Sequence, residues 1–209
     1  MIVLRKGDRG EDVKVLQRLL GIADDGIFGN DTDRAVRNYQ RTHGLFPDGV
    51  VGQLTWARLK APKNEAMPAL KKSKRVINKI IVHCTATPEG KEVSVKDIDA
   101  WHRARGFAGI GYHYVIHLDG KVEEGRDVDR AGAHTAGYNA YSVGVSYVGG
   151  VAKDGCTPKD TRTPEQKEAL LTLLRRLRKL YPTATIHGHR EFAAKACPSF
   201  DAKKEYKGI

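Results

Sequence analysis

The short run Ile80-Ile81-Val82, entered from Lys79 and closed by His83, is apolar without interruption and reads as a buried strand. A buried strand must be covered, so the residues that follow decide which fold surrounds it. Val95, Ile98 and Trp101 put one apolar face on a helix that ends near Gly106. Tyr112 to Leu118 has strand character and runs into Asp119-Gly120, a strong hairpin signal, with the return passing through Val122. Ser142 to Val148 is a third apolar strand. Thr163-Pro164-Glu165-Gln166 then opens a long helix, with Thr163 as its cap, Pro164 at the first position and Gln166 completing a capping box. Ala169, Leu170, Leu173, Leu174, Leu177 and Leu180 form its core face, and the arginines and lysines opposite need no role beyond solubility. Strands alternating with helices specify an α/β domain over residues 78–209. The hairpin makes its central sheet mixed rather than purely parallel, with helices flanking it.

Residues 1–62 follow a different pattern. Asp25-Gly26-Ile27-Phe28-Gly29 with Thr32 recurs as Asp48-Gly49-Val50-Val51-Gly52 with Thr55. Each copy sets a glycine in a tight turn, then apolar residues, then a second glycine and a threonine suited to capping a helix. Apolar spacing predicts three helices, marked by Val13, Leu16, Leu19 and Leu20, by Ala35, Val36 and Tyr39, and by Trp56 with Leu59. A small all-α domain of three helices is expected. Residues 63–77, with Pro68 and the basic cluster Lys71-Lys72-Ser73-Lys74-Arg75, lack helical periodicity and read as a linker.

The balance of 36 lysines and arginines against 25 acidic residues leaves a net charge of +11, which attracts polyanions such as nucleic acid, anionic lipid or anionic wall polymers. Nucleic-acid binding gains no second line of support: there is no zinc-finger spacing, no phosphate loop and no regular interleaving of aromatic with basic residues. Three cysteines at scattered positions do not suggest a disulfide framework, so metal ligation or free thiols are expected. The opening Met1-Ile2-Val3-Leu4-Arg5-Lys6-Gly7 is far short of a signal-peptide core, and no stretch reaches membrane-spanning length. A monomer made in the cytoplasm, without membrane insertion, is the expectation.

His189 and Cys197 offer an imidazole and a thiolate from one short connection, and His83 stands at the end of a strand. Zinc takes nitrogen and sulfur ligands, and a catalytic zinc keeps three protein ligands with the fourth position open. The plainer alternative makes His83 a satisfied strand histidine, Cys197 a small buried apolar residue and His189 a polar loop group. His187, two residues from His189, competes with it as a ligand. Lys195 lies two residues before Cys197, and Tyr112 opens a strand-like run, so a cation and a phenol can reach the same place. Such groups stabilise the oxyanion that develops when an amide is hydrolysed. His113, next to Tyr112, points to the other side of a strand and reads as structural.

Taken in order, Val82-His83-Cys84-Thr85-Ala86-Thr87, Trp101-His102, Gly111-Tyr112-His113, Gly125-Arg126-Asp127, Gly137-Tyr138-Asn139, Ser142-Val143-Gly144-Val145, His187-Gly188-His189-Arg190-Glu191 and Lys195-Ala196-Cys197-Pro198 follow a known set of landmarks. From about Asn78 to Asp201 the chain resembles the type 2 N-acetylmuramoyl-L-alanine amidases, most of all their small phage lysozymes. Its beginning, Leu4 to Val13 with Leu16-Gln17, resembles the peptidoglycan-binding domain found beside many wall hydrolases. The resemblance implies zinc held by His83, His189 and Cys197, with Tyr112 and Lys195 as the catalytic tyrosine and lysine. His189 is preferred to His187 because Gly-His-Arg-Glu is where that family places its second ligand, and the interval to Cys197 also fits. The loop from Ala133 to Asn139 borders the family's substrate groove, which makes His134 and Asn139 candidate substrate contacts. The implied partner is peptidoglycan, through both glycan and stem peptide. The implied reaction cuts the amide between N-acetylmuramic acid and L-alanine, on the wall, after release as an endolysin. A non-catalytic wall-recognition protein on the same fold is the alternative, and the presence of all five site residues argues for the enzyme.

Overall fold

Two buried glutamines explain why the N-terminal sequence repeats. In the computed structural model, which describes residues 2–43, 45–60 and 67–209, Gln17 lies late in α1 (Glu11–Leu20) and Gln40 late in α2 (Asn30–Thr42), with α3 (Gln53–Lys60) following. The Gln17 amide nitrogen donates towards Asp25 Oδ1 at 2.7 Å, Ile27 O at 3.1 Å and Thr32 Oγ1 at 3.0 Å, while its oxygen accepts the Gly26 N–H at 2.8 Å. Gln40 repeats this arrangement with Asp48, Val50, Thr55 and Gly49. A buried amide is tolerated only when both of its ends are matched, so each Asp-Gly turn is wrapped around its glutamine. Gly26 and Gly49 sit at φ +76° and +74°, a conformation that favours glycine. Thr32 and Thr55, expected as helix caps, instead lie inside the first turns of α2 and α3 and bond to the glutamines. α2 is capped by Gly29 without any side-chain bond. Leu4, Val13, Leu16, Phe28, Val36, Val51, Trp56 and Leu59 form this unit's core.

Compact units span residues 1–65 and 66–209. The second contains β1 (Lys79–Cys84), β2 (Thr87–Pro88), α4 (Val95–Ala104), β3 (Tyr114–Ile116), β4 (Val122–Glu124), β5 (Ser142–Tyr147), β6 (Gly150–Val151), α5 (Pro164–Leu180), β7 (Thr185–Gly188) and α6 (Ala202–Glu205). Its five-stranded sheet runs β4-β3-β5-β1-β7 and is parallel except for β4, with β2 and β6 forming a separate parallel pair. The sheet is mixed, as the hairpin predicts.

Strand alternation gives the sheet's two faces different tasks. Ile80, Val82 and Cys84 of β1 and Val143, Val145 and Tyr147 of β5 join the α5 side chains Ala169, Leu170, Leu173, Leu174 and Leu177 in the main core. His83 of β1 and Ser142, Gly144 and Ser146 of β5 therefore fall on the opposite face, where small side chains leave room. Thr163 and Gln166 form the capping box of α5 as expected, and Gln166 also reaches inward to donate to Ile116 O and Val148 O at 3.1 and 2.9 Å.

Three details depart from the sequence pattern. The inner face of α4 carries Ile98 and His102, and Trp101 is 43% exposed, because i+3 and i+4 both satisfy a helical repeat and only packing chooses between them. The strand expected from Tyr112 begins only at Tyr114. The segment 63–77 assigned to a linker lies outside the described residues as far as 66, and from Met67 onwards it packs along the second unit. Met67 and Leu70 touch the core, the Ser73 hydroxyl donates to Val128 O at 2.8 Å, and Arg75 donates to the carbonyls of Val128, Asn139, Ala140 and Ser142. Among the described residues no helix is long and apolar enough to cross a membrane.

Replacing Gln17 by leucine leaves the buried Gly26 N–H without its acceptor and removes the amide that donates to Asp25, Ile27 and Thr32. We expect this to remove about 2–4 kcal/mol from the N-terminal unit, seen in calorimetry as a midpoint lowered by roughly 10 °C or more. An unchanged midpoint would show that the turn holds itself.

Candidate functional site

The register of two parallel strands brings the first two donors together. Val82 of β1 pairs with Gly188 of β7, so His83 and His189 emerge side by side with ring centroids 4.6 Å apart. Cys197 arrives from the following loop. The Cys84 N–H donates to its sulfur at 3.3 Å, and that sulfur lies 3.8 Å from His83 Nδ1. The loop is pinned on both sides of Cys197: the Arg190 N–H donates to Cys197 O at 2.7 Å, the Tyr147 hydroxyl to Pro198 O at 2.6 Å, and the Ser199 hydroxyl to Gly150 O at 2.7 Å. One donor atom from each of His83, His189 and Cys197 lies within 4.8 Å of the other two. His187 is turned away, with Nδ1 2.8 Å from Glu191 Oε2 and Nε2 2.8 Å from Thr185 Oγ1.

The chemistry of this donor set fits a zinc ion. Burial, followed by the neighbouring His134 and His189, holds the His83 pKa well below 6.5; burial and then Lys195 lower that of His189. Both rings are therefore neutral, with a lone pair to give. The Cys197 thiol is pushed up by Cys84 and by burial, so a thiolate there requires a cation at the centre. Two neutral imidazoles and one sulfur match borderline-soft zinc and leave a fourth position free.

This centre opens on a cleft of about 890 Å3 that Tyr112, Lys195, Trp101, Arg105, Phe107 and Phe192 also line. Among the described residues no aspartate or glutamate lines it, and Lys195 and Arg105 give it positive charge. The Tyr112 ring stands 5.1 Å from that of His83 and 5.2 Å from that of His102. Burial pushes its phenol well above the usual range, so the hydroxyl keeps its proton. Lys195 is exposed on the cleft. His113 is fully buried and works structurally, its Nδ1 accepting the Gly144 N–H at 2.9 Å.

His134 and Asn139 line the cleft too, with both ring nitrogens of His134 and the side-chain oxygen of Asn139 already hydrogen-bonded. Asn139 Oδ1 accepts the backbone N–H groups of His134 and Thr135, each at 2.9 Å. His134 is buried, with Nδ1 3.0 Å from His83 Nε2 and Nε2 3.3 Å from Ser142 Oγ. Sequence reasoning assigned nothing to Thr135, Ser142 or His102. His102 is buried against Tyr112, and its Nδ1 accepts the Gly111 N–H at 2.8 Å. The i+4 spacing from Ile98 is the signal that marks it.

Comparison with known proteins identifies the family to which the chain belongs. A family model described as N-acetylmuramoyl-L-alanine amidase matches residues 73–200, and one described as a putative peptidoglycan binding domain matches residues 9–59. The chain is 45% identical over 130 residues to the endolysin of Enterobacteria phage K11, covering 62% of this chain and 85% of that one. It is 42% identical over 133 residues to the endolysin of Escherichia phage T7, covering 64% and 87%. The N-acetylmuramoyl-L-alanine amidase LysC from Clostridium intestinale URNW superposes with a TM-score of 0.54 at 28% identity, over 67% of this chain and 87% of that one. The ectodomain complex of the peptidoglycan recognition proteins LCa and LCx, bound to tracheal cytotoxin, gives 0.54 at 33% identity, over 68% and 88%. With one model spanning more than half of its length, the chain belongs to the N-acetylmuramoyl-L-alanine amidase family.

Proposed function

We propose that the protein is a zinc-dependent endolysin that hydrolyses the amide between the lactyl group of N-acetylmuramic acid and the L-alanine of the stem peptide. The observation that carries this reading is the convergence of His83, His189 and Cys197 at the base of a cleft shared with Tyr112 and Lys195. When bound, zinc lowers the pKa of water from 15.7 towards about 7 and polarises a carbonyl. Water adds to the lactyl carbonyl carbon, the C–N bond breaks, and the amino group of L-alanine leaves with a proton originating from that water. The Lys195 ammonium donates to the carbonyl oxygen as negative charge gathers there. Tyr112 keeps its proton, so it serves as a hydrogen-bond donor that orients the attacking water rather than as a base. Trp101 and Phe107, 43% and 40% exposed at the rim, offer apolar faces to sugar and peptide.

The N-terminal unit is assigned to wall attachment on its family match. Attachment raises the local concentration of substrate and leaves the chemistry unchanged.

Mass spectrometry of purified peptidoglycan after digestion tests the reaction. Glycan strands with free lactyl groups and peptides with an L-alanine amino terminus are expected. Lys195→Ala should lower kcat by about 10²–10³ if it acts as an oxyanion donor. New reducing sugar ends would instead assign a glycosidase, and binding without any product would favour the recognition-protein alternative.

A fragment of residues 67–209 should cleave small soluble muropeptides about as well as the full chain while sedimenting less with insoluble wall. Equal loss on both substrates would mean that the N-terminal unit supports catalysis instead of attachment.

A further inference from the structure

His134 stands behind His83, on the side away from Cys197. His83 Nδ1 lies 3.8 Å from the Cys197 sulfur, and His83 Nε2 lies 3.0 Å from His134 Nδ1. Beyond it, His134 Nε2 is 3.3 Å from Ser142 Oγ, and Thr135 Oγ1 is 3.0 Å from His134 Nδ1. The His134 ring is boxed in: a Cβ added at Gly132 or Gly144 would come within 2.3 or 2.5 Å of it. Its backbone is fixed as well, since Asn139 Oδ1 holds the N–H groups of His134 and Thr135 and Arg75 donates to Asn139 O at 3.0 Å.

A neutral imidazole has one N–H and one lone pair, so the contact between the two rings admits only two proton arrangements. In the first, His83 Nε2–H donates to His134 Nδ1, His134 carries its own proton on Nε2 and donates to Ser142 Oγ, and His83 Nδ1 presents a lone pair on the Cys197 side. In the second, His134 Nδ1–H donates to His83 Nε2, and the proton of His83 then sits on Nδ1, where it blocks a ligand. Only the first allows His83 to bind a metal together with Cys197. If the acceptor at His134 were removed, the Nε2–H of His83, a residue only 1% exposed, would retain just the distant Thr135 Oγ1 at 3.4 Å. The tautomer that binds metal would then lose its advantage.

We infer that His134 is a positioning residue for His83: as a fixed hydrogen-bond acceptor it holds His83 in the Nε2-protonated tautomer, which turns the Nδ1 lone pair towards Cys197 and the metal. This rests on the zinc reading above, and it replaces the role of substrate contact expected for His134. Outer partners of metal-bound histidines act in this way in general, by fixing tautomer and ring orientation.

Long-range proton–nitrogen NMR of the full chain reads the His83 tautomer directly, without any substitution. The expected result is Nε2–H in both the metal-free and the zinc-loaded protein. His134→Leu should shift metal-free His83 towards Nδ1–H and raise the zinc Kd about 10–100-fold. His134→Gln, whose amide oxygen accepts in the same place, should regain most of that affinity with a KM for soluble muropeptides near that of wild type. Finding Nδ1–H on His83 in the wild type overturns the inference. So does a His134→Gln variant with unchanged zinc affinity and a raised KM, the signature of a substrate contact. A wild-type chain that binds no zinc defeats the zinc reading itself, and the metal-free tautomer still tests the positioning role.

Discussion

The alternation of side chains along two adjacent parallel strands is the constraint on which the rest of this molecule depends. On one face of β1 and β5, Ile80, Val82, Val143, Val145 and Tyr147 are sealed beneath α5. On the other, the same two strands present His83 beside Ser142, Gly144 and Ser146. Shifting β1 by one residue would bury His83 in the leucine core and put Val82 in the cleft, so the pairing that builds the core also aims the histidine. Stability and chemistry are thus two readings of one register.

The remaining donors are placed by segments that have little structure of their own. The Cys197 loop takes its position from hydrogen bonds to β5, β6 and the His189 turn. The loop carrying His134 is held by Asn139, and Asn139 is held in turn by Arg75 from the strap that precedes β1. Arg75 also reaches the carbonyl of Ser142, the serine that lies beside His134. A single arginine therefore ties the strap, the loop and the start of β5 into one support behind His83.

Much of this was legible in the sequence where the signal is local. The α5 cap, its leucine face and the Asp119-Gly120 hairpin depend on residues within a few positions of each other, and the structure has them as expected. The donor triplet, with His189 preferred to His187, came from ligand chemistry together with family likeness; the physical reason for that preference lies in the β1–β7 register, which sets His189 beside His83, and in the Glu191 contact that holds His187. What escaped depends on distant partners. Gln17 and Gln40 each stand eight residues before the aspartate they bind, so the visible repeat began too late to include them. The burial of His134 needs space left by Gly132 and Gly144, from two different segments. The basic strap read as a linker because the carbonyls that receive Arg75 lie more than fifty residues away.

The claim at the centre is that His83, His189 and Cys197 act together as one metal-binding set. Elemental analysis of the purified full chain, beside Cys197→Ser, tests it most directly. A serine hydroxyl is a hard, neutral substitute for a thiolate, so the account predicts one zinc per wild-type chain and a variant that loses the metal on dialysis and regains part of it only in excess zinc. A Cys197→Ser protein that keeps stoichiometric, tightly held zinc would contradict it.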